Sequence, residues 1–438
     1  VNVRNFLYLA GVAVLLLRAG GAAAELRIEI RQGVDKAVPV AVVPFGWSGA
    51  SALPEDPAAI IAADLQRSGR FAPLPRGDML ARPTEGRELD FDDWRILGTE
   101  VVVVGQVIPQ GRDNVTIRIQ VFDVLRGEQV LGYQQPATLP RLREASHLVA
   151  DEIYKELTGI PGVFNTRIAY ITVTGSGATQ RYRLIVADAD GTNDRVVAES
   201  TDPLMSPAWS PDMRKLAYVS FENDRSEIYV QTLSSGARQR ISSRPGVNGA
   251  PAWSPDGRRL ALTLSREDGN LDIYTLDIAT QVLTRLTRRP SIDTEAAWAP
   301  DGRYIYFTSD RGGAPQIYRV AGNGDGEPER VTFEGSYNAR PRPSPDGEKL
   351  AVVHIDRGNY RIAAVDLGRG RSTTQVLTDG KLDESPSFAP NGETLIYATM
   401  ERGRGVLATV SADGRIHQRI SAGEGDVREP AWSPFPPH

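Results

Sequence analysis

The sequence predicts an α/β amino-terminal domain followed by an all-β six-bladed β-propeller, and three observations carry that expectation. A short phrase recurs six times, with its proline at Pro211, Pro255, Pro300, Pro345, Pro390 and Pro434, spaced by 44, 45, 45, 45 and 44 residues. Between successive phrases lie further short apolar runs, and a repeat of roughly 40 to 50 residues holding several strands is the signature of propeller blades. Ahead of residue 161 the pattern changes to a mixture of strand and helix signals, which sets off a separate domain.

The first segment, residues 1–24, reads as an export signal: Arg4 opens it, residues 6–17 are apolar, and Ala22-Ala23-Ala24 offers small residues for cleavage. The apolar run is too short to span a bilayer. The expectation is a cleaved leader and an exported chain with no membrane insertion afterwards. Loss of Arg4 and Arg18 with the leader moves the formal charge from −5 to −7, which argues against nucleic acid as a partner. Cysteine is absent, so no disulfide supports the fold; 438 residues give enough core for two domains without one.

Residues 25–160 form the predicted α/β domain. Glu25-Leu26-Arg27-Ile28-Glu29-Ile30-Arg31 alternates charged and apolar residues, the period of a strand with one face to bury. At a free end it could add to a partner's sheet, although the pattern alone favours an ordinary edge strand of the α/β domain, since most alternating segments serve their own fold. Val40-Ala41-Val42-Val43 between Pro39 and Pro44 is a short strand, and residues 57–68 read as a helix with Ile60, Ile61, Ala63 and Leu65 inward. Val101-Val102-Val103-Val104 is a buried strand; residues 116–121 and 130–133 suggest a hairpin around Arg126-Gly127. A closing helix over 143–157 ends at Thr158-Gly159-Ile160-Pro161-Gly162, a stop and hinge.

Residues 161–438 form the predicted ring. Each phrase, such as Pro251-Ala252-Trp253-Ser254-Pro255-Asp256-Gly257, is a strand entering a tight turn in which proline presets φ and Asp-Gly supports the reversal. A second strand follows at once (Leu260-Ala261-Leu262-Thr263), then a third (Ile273-Tyr274-Thr275-Leu276) and a polar outer fourth (Thr284-Arg285-Leu286-Thr287). Residues 168–171 and 182–186 match second and third strands without a first, while the chain stops at a sixth first strand. Pro430-Ala431-Trp432-Ser433 should therefore pair beside residues 168–173 and close the ring within one shared blade, leaving no open edge.

Catalytic motifs are missing. Gly46-Trp47-Ser48-Gly49-Ala50 has the wrong spacing for a nucleophile elbow, and His147, His354, His417 and His438 lie in no nucleophile or metal motif. Asp188-Ala189-Asp190-Gly191-Thr192-Asn193 resembles part of a calcium loop, but aligning Gly191 puts Val186 at the first ligand position, and a hairpin turn explains it better. No catalytic residue, cofactor or metal is expected. Trp209, Trp253, Trp298 and Trp432 occupy a fixed place in the repeat and read as blade packing. The loops into each first strand converge on one mouth, a polar rim with a few apolar points that suits protein docking. The rival class is an exported propeller hydrolase or carbohydrate-binding module, which a set of acidic or histidine residues in register across the blades would favour.

The leader, the strand 25–31 followed by Gly33-Val34-Asp35, the segment 40–45, the hinge Leu157-Thr158-Gly159 to Thr166-Arg167-Ile168-Ala169-Tyr170 and the six phrases together resemble the TolB family, periplasmic components of the Tol-Pal system of Gram-negative bacteria. The resemblance covers essentially the whole chain. It implies a non-enzymatic periplasmic protein, monomeric outside its complexes, that links the peptidoglycan-associated lipoprotein Pal with inner-membrane TolA in support of outer-membrane integrity and division. It further implies that residues 25–36, with Glu25, Leu26, Arg27, Ile28, Glu29 and Ile30, bind TolA. The lipoprotein is expected at the ring mouth, at Met205, Asn248, Gly249, Ala250, Asp293, Thr294 and Glu295. Val247 stands where enterobacterial relatives are expected to carry histidine.

Overall fold

In the computed structural model, residues 37–265, 269–368, 372–420 and 425–437 are described; the predicted leader and the strand expected within 25–36 lie outside them. The amino-terminal domain contains β1 (Val38–Val42), β2 (Gly46–Trp47), α1 (Pro57–Arg67), β3 (Phe71–Pro73), α2 (Phe91–Ile96), β4 (Val101–Pro109), β5 (Asn114–Asp123), β6 (Glu128–Thr138) and α3 (Leu142–Thr158). Its sheet runs β3-β1-β4-β5-β6, with β2 also on β4; β3, β1, β2 and β4 are parallel, and β5 and β6 join antiparallel. Side-chain alternation along β4 feeds two cores. Val101, Val103 and Val107 pack under α1 and α3, while Val102 and Val104 meet Trp94 on the other face.

Local chemistry sets the helix ends. Asp56 caps α1 by accepting from the Ala59 N–H at 3.1 Å, with Pro57 at the first helical position. Gly159, at φ 74°, ends α3 in the left-handed region as the sequence predicts. One inward position differs. Ala63 is exposed and Asp64 is buried instead, because its carboxylate bonds His147 at 2.7 Å and also pairs with Arg67. A buried charge is tolerated where partners surround it.

The ring has six four-stranded blades. Five are built consecutively, with innermost strands Leu204–Trp209, Asn248–Trp253, Asp293–Trp298, Asn338–Pro343 and Asp383–Phe388. The sixth joins both ends: Asp426–Trp432 lies inside β7 (Arg167–Thr174), followed by β8 (Arg181–Asp188) and β9 (Arg195–Ser200). Val427 pairs with Thr172 and Trp432 with Ile168, the predicted closure. The outer strands Arg195–Ser200 and His417–Ile420 carry too little apolar pattern to be assigned from sequence.

The repeated phrase stitches blade to blade. Ser210 Oγ donates to Asp212 at 2.6 Å and accepts from the Lys215 N–H at 2.9 Å, locking the turn. Trp253 Nε1 donates to the Ala208 carbonyl of the preceding blade at 3.2 Å, and Trp209 to Ala431 at 3.0 Å. The tryptophans therefore serve as blade packing, as predicted. Each turn glycine also faces the proline of the phrase before it: Gly302 faces Pro255 and Gly347 faces Pro300.

The amino-terminal domain sits on the end of the ring where these turns lie. Asn391 Nδ2 donates to the Pro161 carbonyl at 3.0 Å, Arg70 pairs with Glu393, and Arg143 Nε donates to Thr192 Oγ1 at 2.9 Å. Because strands alternate in direction, the connections into each innermost strand open at the opposite end. The predicted mouth thus faces away from the amino-terminal domain.

Candidate functional site

Every innermost strand enters the mouth through the same distortion. Pairing with the second strand slips between Met205 and Ala208, Gly249 and Ala252, Thr294 and Ala297, and at the matching places in the other three blades. At each slip one residue other than glycine takes a positive φ: Ser206, Ala250, Glu295, Arg340, Ser385 and Glu429, all between 47° and 57°. These segments, expected as loops, are bulged strand. Five of the six bulges are followed by proline (Pro207, Pro251, Pro341, Pro386, Pro430), which has no N–H to leave unpaired. A proline inside an innermost strand was the available signal for them.

The bulges re-aim side chains into the channel. Arg340 Nε pairs with Glu295 at 2.7 Å, its Nη1 meets Ser385 Oγ, and its Nη2 lies 3.9 Å from Glu429. Blades three to six are thereby tied across the axis. Burial opposes the Arg340 charge, but Glu295 and Glu429 outweigh it and raise its pKa. Beside it, burial and the like charge of Arg340 hold the Arg342 pKa below the ordinary arginine value. Glu295, expected as a rim contact, is committed to this channel network.

The other expected rim residues divide into two groups. Asn248 and Asp293 are buried. Asn248 accepts from Ser242 Oγ at 2.6 Å and donates to the Arg244 carbonyl at 2.7 Å, while Asp293 is held by Arg311 at 2.8 Å. They fix the loops that form the rim rather than present themselves to solvent. Met205, Gly249, Ala250 and Thr294 are partly or fully accessible, and a Cβ on Gly249 would meet nothing nearer than Val247 at 3.8 Å.

Sequence reasoning expected a few apolar points on this rim and included Val247 in it, but did not name Ile292. Val247 is 43% exposed and Ile292 51% exposed, immediately before the innermost strands of blades two and three. Leu382, Phe333 and Met400 are also exposed at this end, and Tyr337 and Tyr360 meet edge-on at 5.6 Å. A discontinuous apolar set rimmed by polar groups has the composition of a protein-docking surface. Single exposed residues between strands carry no periodicity, so only the closed ring gathers them.

The chain also matches known proteins over most of its length. The model of the TolB amino-terminal domain matches residues 26–130, and that of the TolB beta propeller domain matches residues 154–436. A "Tol-Pal system protein TolB" of Xanthomonas campestris pv. campestris (strain B100) is 49% identical over 431 residues, 98% of each chain. The chain belongs to the TolB family. A second family member, from Xanthomonas oryzae pv. oryzae (strain PXO99A), is likewise 49% identical over 98% of each chain. The crystal structure of TolB from Acinetobacter baumannii superposes with a TM-score of 0.84 at 43% identity, covering 92% of this chain and 98% of that one. The TolB-family architecture thus includes both domains described above.

Proposed function

We propose that this TolB-family chain is a non-enzymatic adaptor of the Tol-Pal system in the periplasm, delivered there by cleavage of residues 1–24. Its distal mouth docks the peptidoglycan-associated lipoprotein Pal, and residues 25–36 add as a strand to inner-membrane TolA. Linking the two supports outer-membrane integrity and constriction at division.

The observation that carries the docking half is the exposed apolar set at the open mouth, with Met205, Val247 and Ile292 around accessible Gly249, Ala250 and Thr294. Met205, Gly249, Ala250 and Thr294 stand on the bulged strands, and Val247 and Ile292 lie one residue ahead of them beside buried Asn248 and Asp293. The amino-terminal half rests on the family and on the alternating pattern of residues 25–31.

Calorimetric titration of the processed chain with Pal and, separately, with the soluble part of TolA tests the proposal. Ile292→Asp should weaken Pal binding by about 2 kcal/mol, roughly thirtyfold, since it loses apolar burial and adds a carboxylate to be desolvated. Deleting residues 25–36 should abolish TolA binding and leave Pal binding measurable. Unchanged affinities in both variants would rule the proposal out.

A further inference from the structure

A cavity of about 280 Å³ between α3 and the sixth blade gathers more cationic groups than its carboxylates balance. Arg141, Arg143, His147, Arg167 and Arg195 all line it, against Glu144 and Asp188. Arg141 is tied to Glu144 at 2.5 Å and Arg143 to Asp190 at 2.6 Å. Among the described residues, Arg167 and Arg195 have no carboxylate partner. Partial desolvation and the like charge of Arg167 hold the Arg195 pKa below the ordinary arginine value, and nothing offsets them.

One further donor is enclosed at the same place. His147 is 1% exposed and its Nδ1 bonds Asp64 at 2.7 Å, while its buried Nε2 has no hydrogen-bond partner. Asp190 Oδ2 lies 3.9 Å from Nε2, too far to accept from it, and is held by Arg143 instead. Burial opposes a charge on the ring, but Asp64 and Asp190 outweigh it and raise the pKa, which favours the imidazolium with a hydrogen on each nitrogen. A buried N–H on a cavity of arginines requires an acceptor there. No side chain caps the first turn of α3, whose residues line the same cavity, so the positive end of its dipole adds to the field.

We propose that this cavity binds a small phosphate-type oxyanion, held by Arg167 and Arg195 of the sixth blade and by His147 Nε2 of α3. Planar guanidinium forks match phosphate oxygens, and one anion between them relieves two like charges that no carboxylate balances. A phosphate offers about two negative charges and at least three acceptor oxygens, enough for all three side chains. Its donors come from both domains, so the bound anion ties the amino-terminal domain to the ring. Asp190 does not compete, because Arg143 and both donors of Thr192 already occupy it. Asp188, which accepts from Asn193 Nδ2 at 2.7 Å, is the lining carboxylate that opposes the anion.

The test is calorimetric titration of the full processed chain with inorganic phosphate at low ionic strength, together with melting temperatures in phosphate and in chloride of equal ionic strength. One phosphate per chain is expected, with the higher melting temperature in phosphate. Arg167→Gln and Arg195→Gln, both at exposed positions, should each weaken binding by about tenfold. Asp188→Asn should tighten it by about threefold, since it removes the opposing charge. A merely structural role for these side chains would not produce changes of opposite sign. Vesicles of phosphatidylglycerol separate the two sources of such an anion: retention that phosphate competes away supports a lipid headgroup, and phosphate binding without retention supports a soluble ligand. Absence of phosphate binding, an equal response to chloride, or affinity unchanged in both arginine variants would overturn the proposal.

Discussion

Ring closure offers the sharpest test of the architecture, because one strand near the end of the chain completes the sixth blade. Val427 is 2% exposed and packs with Ile168, Tyr170 and Leu407 between blades five and six. Val427→Ala removes two buried carbons at about 0.8 kcal/mol each, and the residual cavity brings the cost to ~2 kcal/mol. Trp432→Phe forfeits the 2.8 Å indole bond to Thr166 Oγ1, about 1 kcal/mol, and leaves Thr166 bonded to Val163. Ending the chain after residue 425 removes both, together with the pairing to β7 and the carbonyl that Trp209 uses. That loss approaches the whole stability of a domain, roughly 5–15 kcal/mol, and turns β7 into an open edge. Differential scanning calorimetry should show the ring transition falling by ~3–4 °C in Val427→Ala and vanishing in the truncated chain. A truncated ring melting within about 2 °C of the full chain would refute the closure argument.

Three further expectations follow from single positions. Gly302→Ala should destabilise the ring by about 1–2 kcal/mol in urea melts, since φ is 69° while the nearest atom to a Cβ is 3.9 Å away, so the cost is conformational rather than steric. Gly162→Ala places a Cβ 2.5 Å from the Asp151 Cα, so the hinge must shift; limited proteolysis at residues 159–166 should accelerate. Burial pushes the Asp151 carboxyl from 3.8 to about 7 while it caps the Phe164 and Asn165 N–H groups at 2.7 and 3.1 Å. The folded state then holds the extra proton, so this contribution to stability is present at low pH and is lost as pH rises through about 7. Urea melts at pH 5 and pH 8 should differ more for the native chain than for Asp151→Asn.

The two domains, the blade number and the mode of closure were legible because each rests on short-range chemistry. Ser-Pro-Asp turns, the β-period of the runs between them and the Gly159 stop act within a few residues. The bulged entrances were missed: Ala250 and Glu295 have positive φ without being glycine, and the local signal, a proline after the bulged residue, is present at Ala250 but absent at Glu295. The inward position of Asp64 was missed for a related reason. Helical periodicity marks Ala63 as the apolar choice, but a charge goes inward where His147 and Arg67 wait for it.

By itself, then, the sequence determined the family, the repeat and the order of strands within a blade, since those depend on neighbours along the chain. Tertiary structure alone decided which rim residues are accessible. Asn248 and Asp293 turn inward to hold loops, Glu295 turns into the channel toward Arg340, and Val247 and Ile292 stay in solvent. It also set His147 of the first domain against Asp188 and Asp190 of the last blade. Burial and charge pairing across a closed ring depend on contacts between distant segments, and no local pattern encodes them.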